Sequence, residues 1–285
     1  MAHSPVRTPC LIQVPFMSGD GAHPASAGPR RATESARELL GARGVAFESA
    51  TVDVVAGDSA EAAWRVSDAL ASTVRNTTAA GQLPLVLAGS CDAALGVLAG
   101  FEHARCGVVW LDAHGDFNTP ESSETGFLPG MALAAVVGHC HADRWAQIGD
   151  ATPIAESDTL LLGVRELSPA AERRRLKASA IDAIAWRGGK AQRDPIAALD
   201  ALAERVDAVY LHIDLDAFDP EVAPGIVDDP VPGGLSLRDG ERVVRAVLER
   251  FRVPAATLAT YVPARDPDGR TLDLELRLIE LLAGV

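Results

Sequence analysis

Residues 106–116 read CGVVWLDAHGD, an apolar run that passes without a break into acid, histidine and acid at alternate positions. Six residues with neither face polar describe a strand covered on both sides, as the central strands of parallel α/β sheets are. Side chains alternate along an extended backbone, so Asp112, His114 and Asp116 project to one side just beyond the strand. Neighbouring carboxylates repel and resist burial unless a cation lies between them. The alternation therefore reads either as a solvated loop or as a metal site.

Outward from this stretch, short apolar runs alternate with longer amphipathic ones. Strands are expected at 10–16, 45–54, 83–89, 106–112, 158–164, 180–185, 208–215 and 255–262. Helices are expected at 29–43, 59–80, 91–101, 130–138, 168–177, 194–205, 236–251 and 270–283. The segment SLRDGERVVRAVLERF (236–251) is the clearest, with Ser236 as N-cap and Val243, Val244, Val247 and Leu248 on one face. Eight strand–helix repeats imply a parallel sheet, open or closed into a barrel. LPLVLAG (83–89) and CGVVWL are apolar on both faces, and polar residues gather after only some strands; both features favour the open sheet. Ligands of such sheets lie at the carboxyl ends of the strands. The Pro/Gly-rich stretch 220–234 reads as a long loop beside that edge.

The chain of 285 residues is 48% hydrophobic and reads as a single domain over 1–285. No run approaches the roughly 20 apolar residues of a membrane span, and residues 1–16 lack the pattern of a signal peptide. A cytoplasmic protein that does not engage a membrane is the expectation. Cys10, Cys91, Cys106 and Cys140 form no C-x-x-C pair and no disulfide framework. A net charge of −13 without a basic stripe excludes a nucleic-acid backbone as partner and suits a small-molecule substrate or divalent cations.

The alternation recurs. After AVYLHI comes Asp214-Leu215-Asp216, again two carboxylates on one side of a strand end. Four carboxylates and an imidazole suit a hard or borderline cation such as Mn²⁺. Bridging acids are also how two-metal hydrolases hold their cations. WLDAHGDFNTP (110–120) and HIDLDAFDP (212–220) resemble the two metal-binding signatures of the ureohydrolases, the arginase and agmatinase family; AGPRRA (27–32) and LLGVRE (161–166) add weaker similarity. The resemblance implies a three-layer α/β/α sandwich with a mostly parallel eight-stranded sheet. It also implies two Mn²⁺ per subunit, hydrolysis of a guanidino-type C–N bond by a hydroxide held between them, and a homo-oligomer, trimer or hexamer. Asp112 and Asp214 would bridge the cations. His114 and Asp216 would complete one, and Asp116 the other while serving as the catalytic hydrogen-bonding group.

Several positions depart from the family pattern. The first metal-ligating histidine of the family corresponds to Cys91 in VLAGSCDAALG (86–96). Cysteine there, together with the loop GDFNTPESSETGFLPGM (115–131), is similar to the hydroxyarginine amidinohydrolase of D-cycloserine biosynthesis. Cys91 reads as a ligand, with Asp92 as the substitute and a buried apolar cysteine as the plain alternative. The family's proton-transfer histidine falls on Pro129, its α-ammonium aspartate near Ser168, and its guanidinium-pairing glutamate on Tyr261 in LATYVPA. A tyrosine hydroxyl cannot make the bidentate pairing that a carboxylate offers a guanidinium. Asn118, Ser123 and Thr125 in the following loop are substrate-binding candidates, as is Tyr261. His212 points to the ligand side one pleat deeper and reads as a hydrogen-bonding residue behind the ligands. His139 and His141 read as helix-end residues.

The expectation is a binuclear-manganese hydrolase of a small amidino, hydroxyguanidino, ureido or related amide substrate. The alternative is a non-catalytic binding or regulatory protein on the same fold.

Overall fold

The computed structural model describes residues 7–18, 23–52, 60–102, 105–149, 151–227 and 230–285. In chain order its elements are β1 (Pro9–Val14), α1 (Gly28–Ala42), β2 (Glu48–Thr51), α2 (Ala60–Ala79), β3 (Leu83–Ala88), α3 (Ala93–Ala99), β4 (Cys106–Leu111), α4 (Ala132–Val136), α5 (Ala142–Trp145), β5 (Thr159–Val164), α6 (Ala170–Ala178), β6 (Asp182–Arg187), β7 (Lys190–Ala191), α7 (Pro195–Ala203), β8 (Ala208–Asp214), α8 (Leu237–Arg250), β9 (Ala256–Ala259) and α9 (Arg270–Ala283). All eight expected strands form. Positions 53–54 of the second, position 59 of the following helix and positions 228–229 of the 220–234 loop lie outside the described residues.

One open sheet runs β2-β1-β3-β9-β8-β4-β5-β6-β7. Every pairing is parallel except β6 with β7, a two-residue antiparallel addition that makes nine strands where eight were expected. Strand β7 was not foreseen because two residues carry no periodicity. Helix α5, four residues long, escaped for the same reason.

Alternation along each strand sends side chains into two separate cores. Ile12, Val86, Val108, Trp110 and Tyr210 face α2, α3 and α4. Leu11, Leu85, Val109, Leu111, Leu211 and Ile213 face α1, α7, α8 and α9. The result is three layers, helices on both sides of the sheet. Ser236 caps α8 as expected: its hydroxyl accepts from Asp239 N while the Asp239 carboxylate accepts from Ser236 N.

Register fixes what meets at the carboxyl edge. Strands β4 and β8 are neighbours with Trp110 opposite His212 and Leu111 opposite Ile213, so the acids that follow each strand arrive side by side. Next to β8 lies β9, with His212 opposite Thr257 and Asp214 opposite Ala259. Gly163, at φ +102°, sits at the irregularity that ends β5, where an added Cβ would lie 2.9 Å from the Asp112 carbonyl oxygen. Only glycine combines that dihedral with that approach.

On α9, Glu275 is buried with Oε2 lacking a hydrogen-bond partner. Burial and then the charge of Asp266 push its carboxyl up to about 8. Between the ordinary glutamate range and about 8 the folded chain holds a proton that the unfolded chain has released, so stability falls as pH rises through that window. Glu275→Gln is expected to match the wild type near pH 4 and to exceed it near pH 9, by on the order of 5 kcal/mol in urea denaturation, about 1.4 kcal/mol for each pH unit of that window. Equal stabilities at both values would show that Glu275 ionises without penalty.

Candidate metal centre

The end of β4 turns Asp112 back on itself: Oδ1 accepts from His114 N at 2.7 Å, and Oδ2 from Trp110 Nε1 at 3.1 Å. The end of β8 repeats the turn, Asp214 Oδ1 accepting from Asp216 N at 2.9 Å. These are Asx-type turns, local to each strand end. Asp216 Oδ1 reaches across to accept from Ala113 N at 3.0 Å, which stitches the two ends together. His114 Nδ1 lies 3.0 Å from Asp216 Oδ2 and 3.3 Å from Asp112 Oδ1. Cys91, in the turn between β3 and α3, donates its thiol to Asp214 Oδ2 at 2.9 Å.

The structure thus brings together Cys91, Asp112, His114, Asp116, Asp214 and Asp216. All but His114, which is partly open to solvent, are buried. Burial raises Asp112 to about 6 and lifts Asp116 and Asp214 well above the carboxylate range, with neighbouring carboxylates adding to each shift. Burial and the same acids raise the Cys91 thiol. Burial opposes protonation of His114, but Asp216 and Asp112 more than offset it. Asp216 is the exception: burial alone would raise it, and His114, Ala113 N and Arg165 hold it down. Protein groups alone leave this cluster short of positive charge.

Two residues adopt left-handed backbone here, Asp116 at φ +46° and Thr260 at φ +63°. For a β-branched threonine this conformation is strained, and such strain persists only where the surroundings impose it. Thr260 follows β9 and its hydroxyl bonds Asp214 Oδ1. Asp116 Oδ2 is buried without a hydrogen-bond partner.

Tyr261 requires a correction. Its side chain packs in the core that faces α1, α8 and α9, and its hydroxyl donates to Asp266 at 3.3 Å. Thr260, the residue just after β9, is the one that faces the acids. Strand β9 stops at Ala259, so alternation extended to 261 places the wrong residue in the site. Asp92 is also turned elsewhere: Ser90 Oγ donates to Oδ1 at 2.5 Å and Ser18 Oγ to Oδ2.

The substrate-loop candidates have their side chains engaged locally. Asn118 Nδ2 donates to Ser168 O, and its Oδ1 accepts from Ser122 Oγ. Ser123 Oγ accepts from Gly126 N, and Thr125 Oγ1 from Phe127 N. Pro129 is buried at the start of a 3₁₀ turn. Glu166 Oε2 stands 3.8 Å from His114 Nε2.

Three supports had no sequence signal. Buried Glu172 of α6 accepts from Phe117 N and from Ser168 N. Arg175 bonds Phe117 O, Ser122 Oγ and Thr119 Oγ1. Arg165 donates to the carbonyls of Asp216, Ala217 and Phe218, closing the turn after β8.

Donor atoms of Asp112, His114 and Asp216 lie within 4.8 Å of one another, as do those of Cys91, Asp112 and His212. Two donor triads sharing one carboxylate fit two adjacent cations. Among the described residues no helix is long and apolar enough to cross a membrane.

A buried cluster of potential metal donors lies at the carboxyl edge of a mostly parallel sheet with helices on both sides, an α/β/α architecture. Residues 8–284 match the arginase family, and the chain belongs to it. It is 34% identical to the arginase of Bacillus caldovelox over 232 residues, 79% of this chain and 76% of that one. It is 33% identical to the arginase of Brevibacillus brevis over 225 residues, 76% of this chain and 74% of that one. The solved B. caldovelox arginase superposes with a TM-score of 0.86 at 27% identity, covering 98% of this chain and 99% of that one. The chain is an arginase-family ureohydrolase. These relatives are named arginases, not hydroxyarginine amidinohydrolase.

Cation binding only to the folded state stabilises it, by about 2.7 kcal/mol at a hundredfold excess over Kd. Chelation is therefore expected to lower the melting temperature and Mn²⁺ to restore it. Asp116→Asn removes one repelling acid and keeps a residue tolerant of positive φ. It is expected to raise the melting temperature of chelated protein by about 2–4 °C and to shrink the Mn²⁺-induced rise. Calorimetry showing no gain in the chelated variant would mean that Asp116 carries no electrostatic penalty.

Proposed function

We infer that the chain is a binuclear metal-dependent hydrolase of a small C–N substrate whose reacting group is neutral or weakly basic: hydroxyguanidino, ureido, formimino or amide rather than the guanidinium of arginine. The observation that carries this reading is Thr260. A guanidinium in a buried site calls for a carboxylate to take its paired N–H groups. Thr260, which follows β9, offers one hydroxyl, already directed at Asp214.

Asp112, His114 and Asp216 would hold one cation, and Cys91, Asp112, Asp116 and Asp214 the other, with two Mn²⁺ as the family implies. Bound there, the cations would supply Lewis acidity and lower the pKa of a water toward neutrality. Asp116 Oδ2 has no hydrogen-bond partner within the protein, which supports a role in which it would accept a proton from an attacking water and return it to the departing nitrogen. Glu166 at the half-open mouth suits a cationic group on the substrate's tail, and the exposed loop around Ser123 and Thr125 suits its carboxylate. A homo-oligomer belongs to the same proposal. Buried acids packed this closely destabilise a protein that binds no cation, which weighs against the non-catalytic alternative.

The test is a panel of arginine, its hydroxyguanidino and ureido analogues, and short amides, assayed with Mn²⁺-loaded protein. A neutral or weakly basic member is expected to exceed arginine in kcat/KM by at least about tenfold, one hydrogen-bonded pairing's worth of free energy. Thr260→Glu is expected to shift preference toward arginine. Arginine as the best substrate of the wild type would overturn the reading.

A further inference from the structure

His212 belongs to the second donor triad, yet the ligand set proposed for that cation leaves it out. It is fully buried in β8, one pleat below Asp214, stacked on Trp110 with ring centroids 3.7 Å apart and planes 18° from parallel. Packing alone does not account for it. A buried ring nitrogen left unpaired costs about 1–3 kcal/mol, whereas an apolar side chain would fill the same space without that cost. Nε2 is such a nitrogen: it is buried and has no hydrogen-bond partner.

The hydrogen bonds behind the ring explain which nitrogen is left bare. Tyr210 lies on the same face one pleat further back, its hydroxyl donating to Thr257 Oγ1 at 2.7 Å and lying 3.2 Å from His212 Nδ1. A phenol has one hydrogen. With that hydrogen committed to Thr257, the phenolic oxygen accepts from Nδ1–H, and the lone pair of the neutral imidazole falls on Nε2. This is how a ligating histidine is set: one nitrogen held by a partner behind it, the other presented forward. Cys91 Sγ, an Asp112 oxygen and a His212 ring nitrogen lie within 4.8 Å of one another, and with Nδ1 taken by Tyr210 the nitrogen free to serve is Nε2. The Cys91 turn and the His212 strand approach from different elements, so the juxtaposition is tertiary.

We propose that Cys91 and His212 together ligate the inner cation as a thiolate–imidazole pair, with Asp112 shared, so that the two halves of the centre differ in metal preference. The inner half, with sulfur and nitrogen donors, takes a borderline transition metal such as Zn²⁺, Co²⁺ or Fe²⁺. The outer half, Asp112, His114 and Asp216, keeps the oxygen-rich character that suits Mn²⁺. Binding at the inner half displaces the Cys91 proton now directed at Asp214 Oδ2, leaving that oxygen free to turn to a cation. The proposal rests on the two-cation reading, adds a ligand to it, and departs from it in placing a borderline metal instead of Mn²⁺ at the inner half.

The experiment is Co²⁺ titration of the chelator-treated full chain, followed by absorption and by metal content per chain. The expected first equivalent brings a near-ultraviolet thiolate-to-cobalt charge-transfer band, and a second equivalent binds without enlarging it. Cys91→Ser should abolish the band. His212→Phe, which keeps a ring against Trp110, should weaken the band-forming equivalent at least tenfold while the other still binds. Excess Mn²⁺ should displace only the equivalent that lacks the band. Two equivalents without a band would overturn the proposal and leave the two-cation reading standing. A single equivalent whose band depends on both residues would establish the thiolate–imidazole pair but overturn the two-cation reading, and with it the difference between two halves. A band that forms equally tightly in His212→Phe would remove His212 as ligand. Should that variant fail to fold, X-ray absorption at the zinc edge of wild-type protein carrying one Zn²⁺ decides: sulfur at about 2.3 Å with imidazole nitrogen at about 2.0–2.1 Å supports the pair, and an all-oxygen shell overturns it.

Discussion

Repulsion among buried carboxylates is the constraint around which this structure is organised. Asp112, Asp116, Asp214 and Asp216 are all buried at the carboxyl edge of one sheet. Each charge withdrawn from water costs several kcal/mol unless compensated. The chain compensates partly through backbone amides: His114 N serves Asp112, Asp216 N serves Asp214, and Ala113 N serves Asp216. The rest is left to protons or cations. Two apolar layers, one on each side of the sheet, hold the acids at this density.

Strain follows from the same constraint. Asp116 and Thr260 both take left-handed backbone beside the acids, each at a cost of about 1–3 kcal/mol. The turn at Asp116 carries the chain from the metal-facing segment into the loop that begins at Asn118. The turn at Thr260 brings a hydroxyl onto Asp214 where continued extension would have pointed it elsewhere.

Much of the architecture was legible because it is periodic. Runs such as CGVVWL and LPLVLAG announce covered strands, and alternate acids after two neighbouring strands announce convergence. What could not be read is whatever departs from period. Tyr261 was assigned to the site on the assumption that β9 stays extended; the strand ends at Ala259, and Thr260 faces inward instead. Glu172 lies 55 residues from the amide it accepts from at Phe117, and Arg165 grips carbonyls 51 to 53 residues away. Such contacts depend on tertiary placement and leave no local mark. His212 was placed correctly on the ligand side, but its bare nitrogen emerges only once Tyr210 and Thr257 are seen behind it.

Glu172 has a consequence for how this enzyme can change. One carboxylate grips both Phe117 N, at the root of the polar loop, and Ser168 N, in the segment after β5, while Arg175 holds the loop from the same helix. The base of the mouth is thus anchored to α6, whereas residues 121–127 are exposed or only partly buried beyond it. Side chains at the tip can be exchanged one at a time without moving the acids below. Selection for a new substrate therefore has a region in which to vary while the hydrolytic chemistry stays fixed, and diversification of this lineage should be recorded in that tip rather than in the strands.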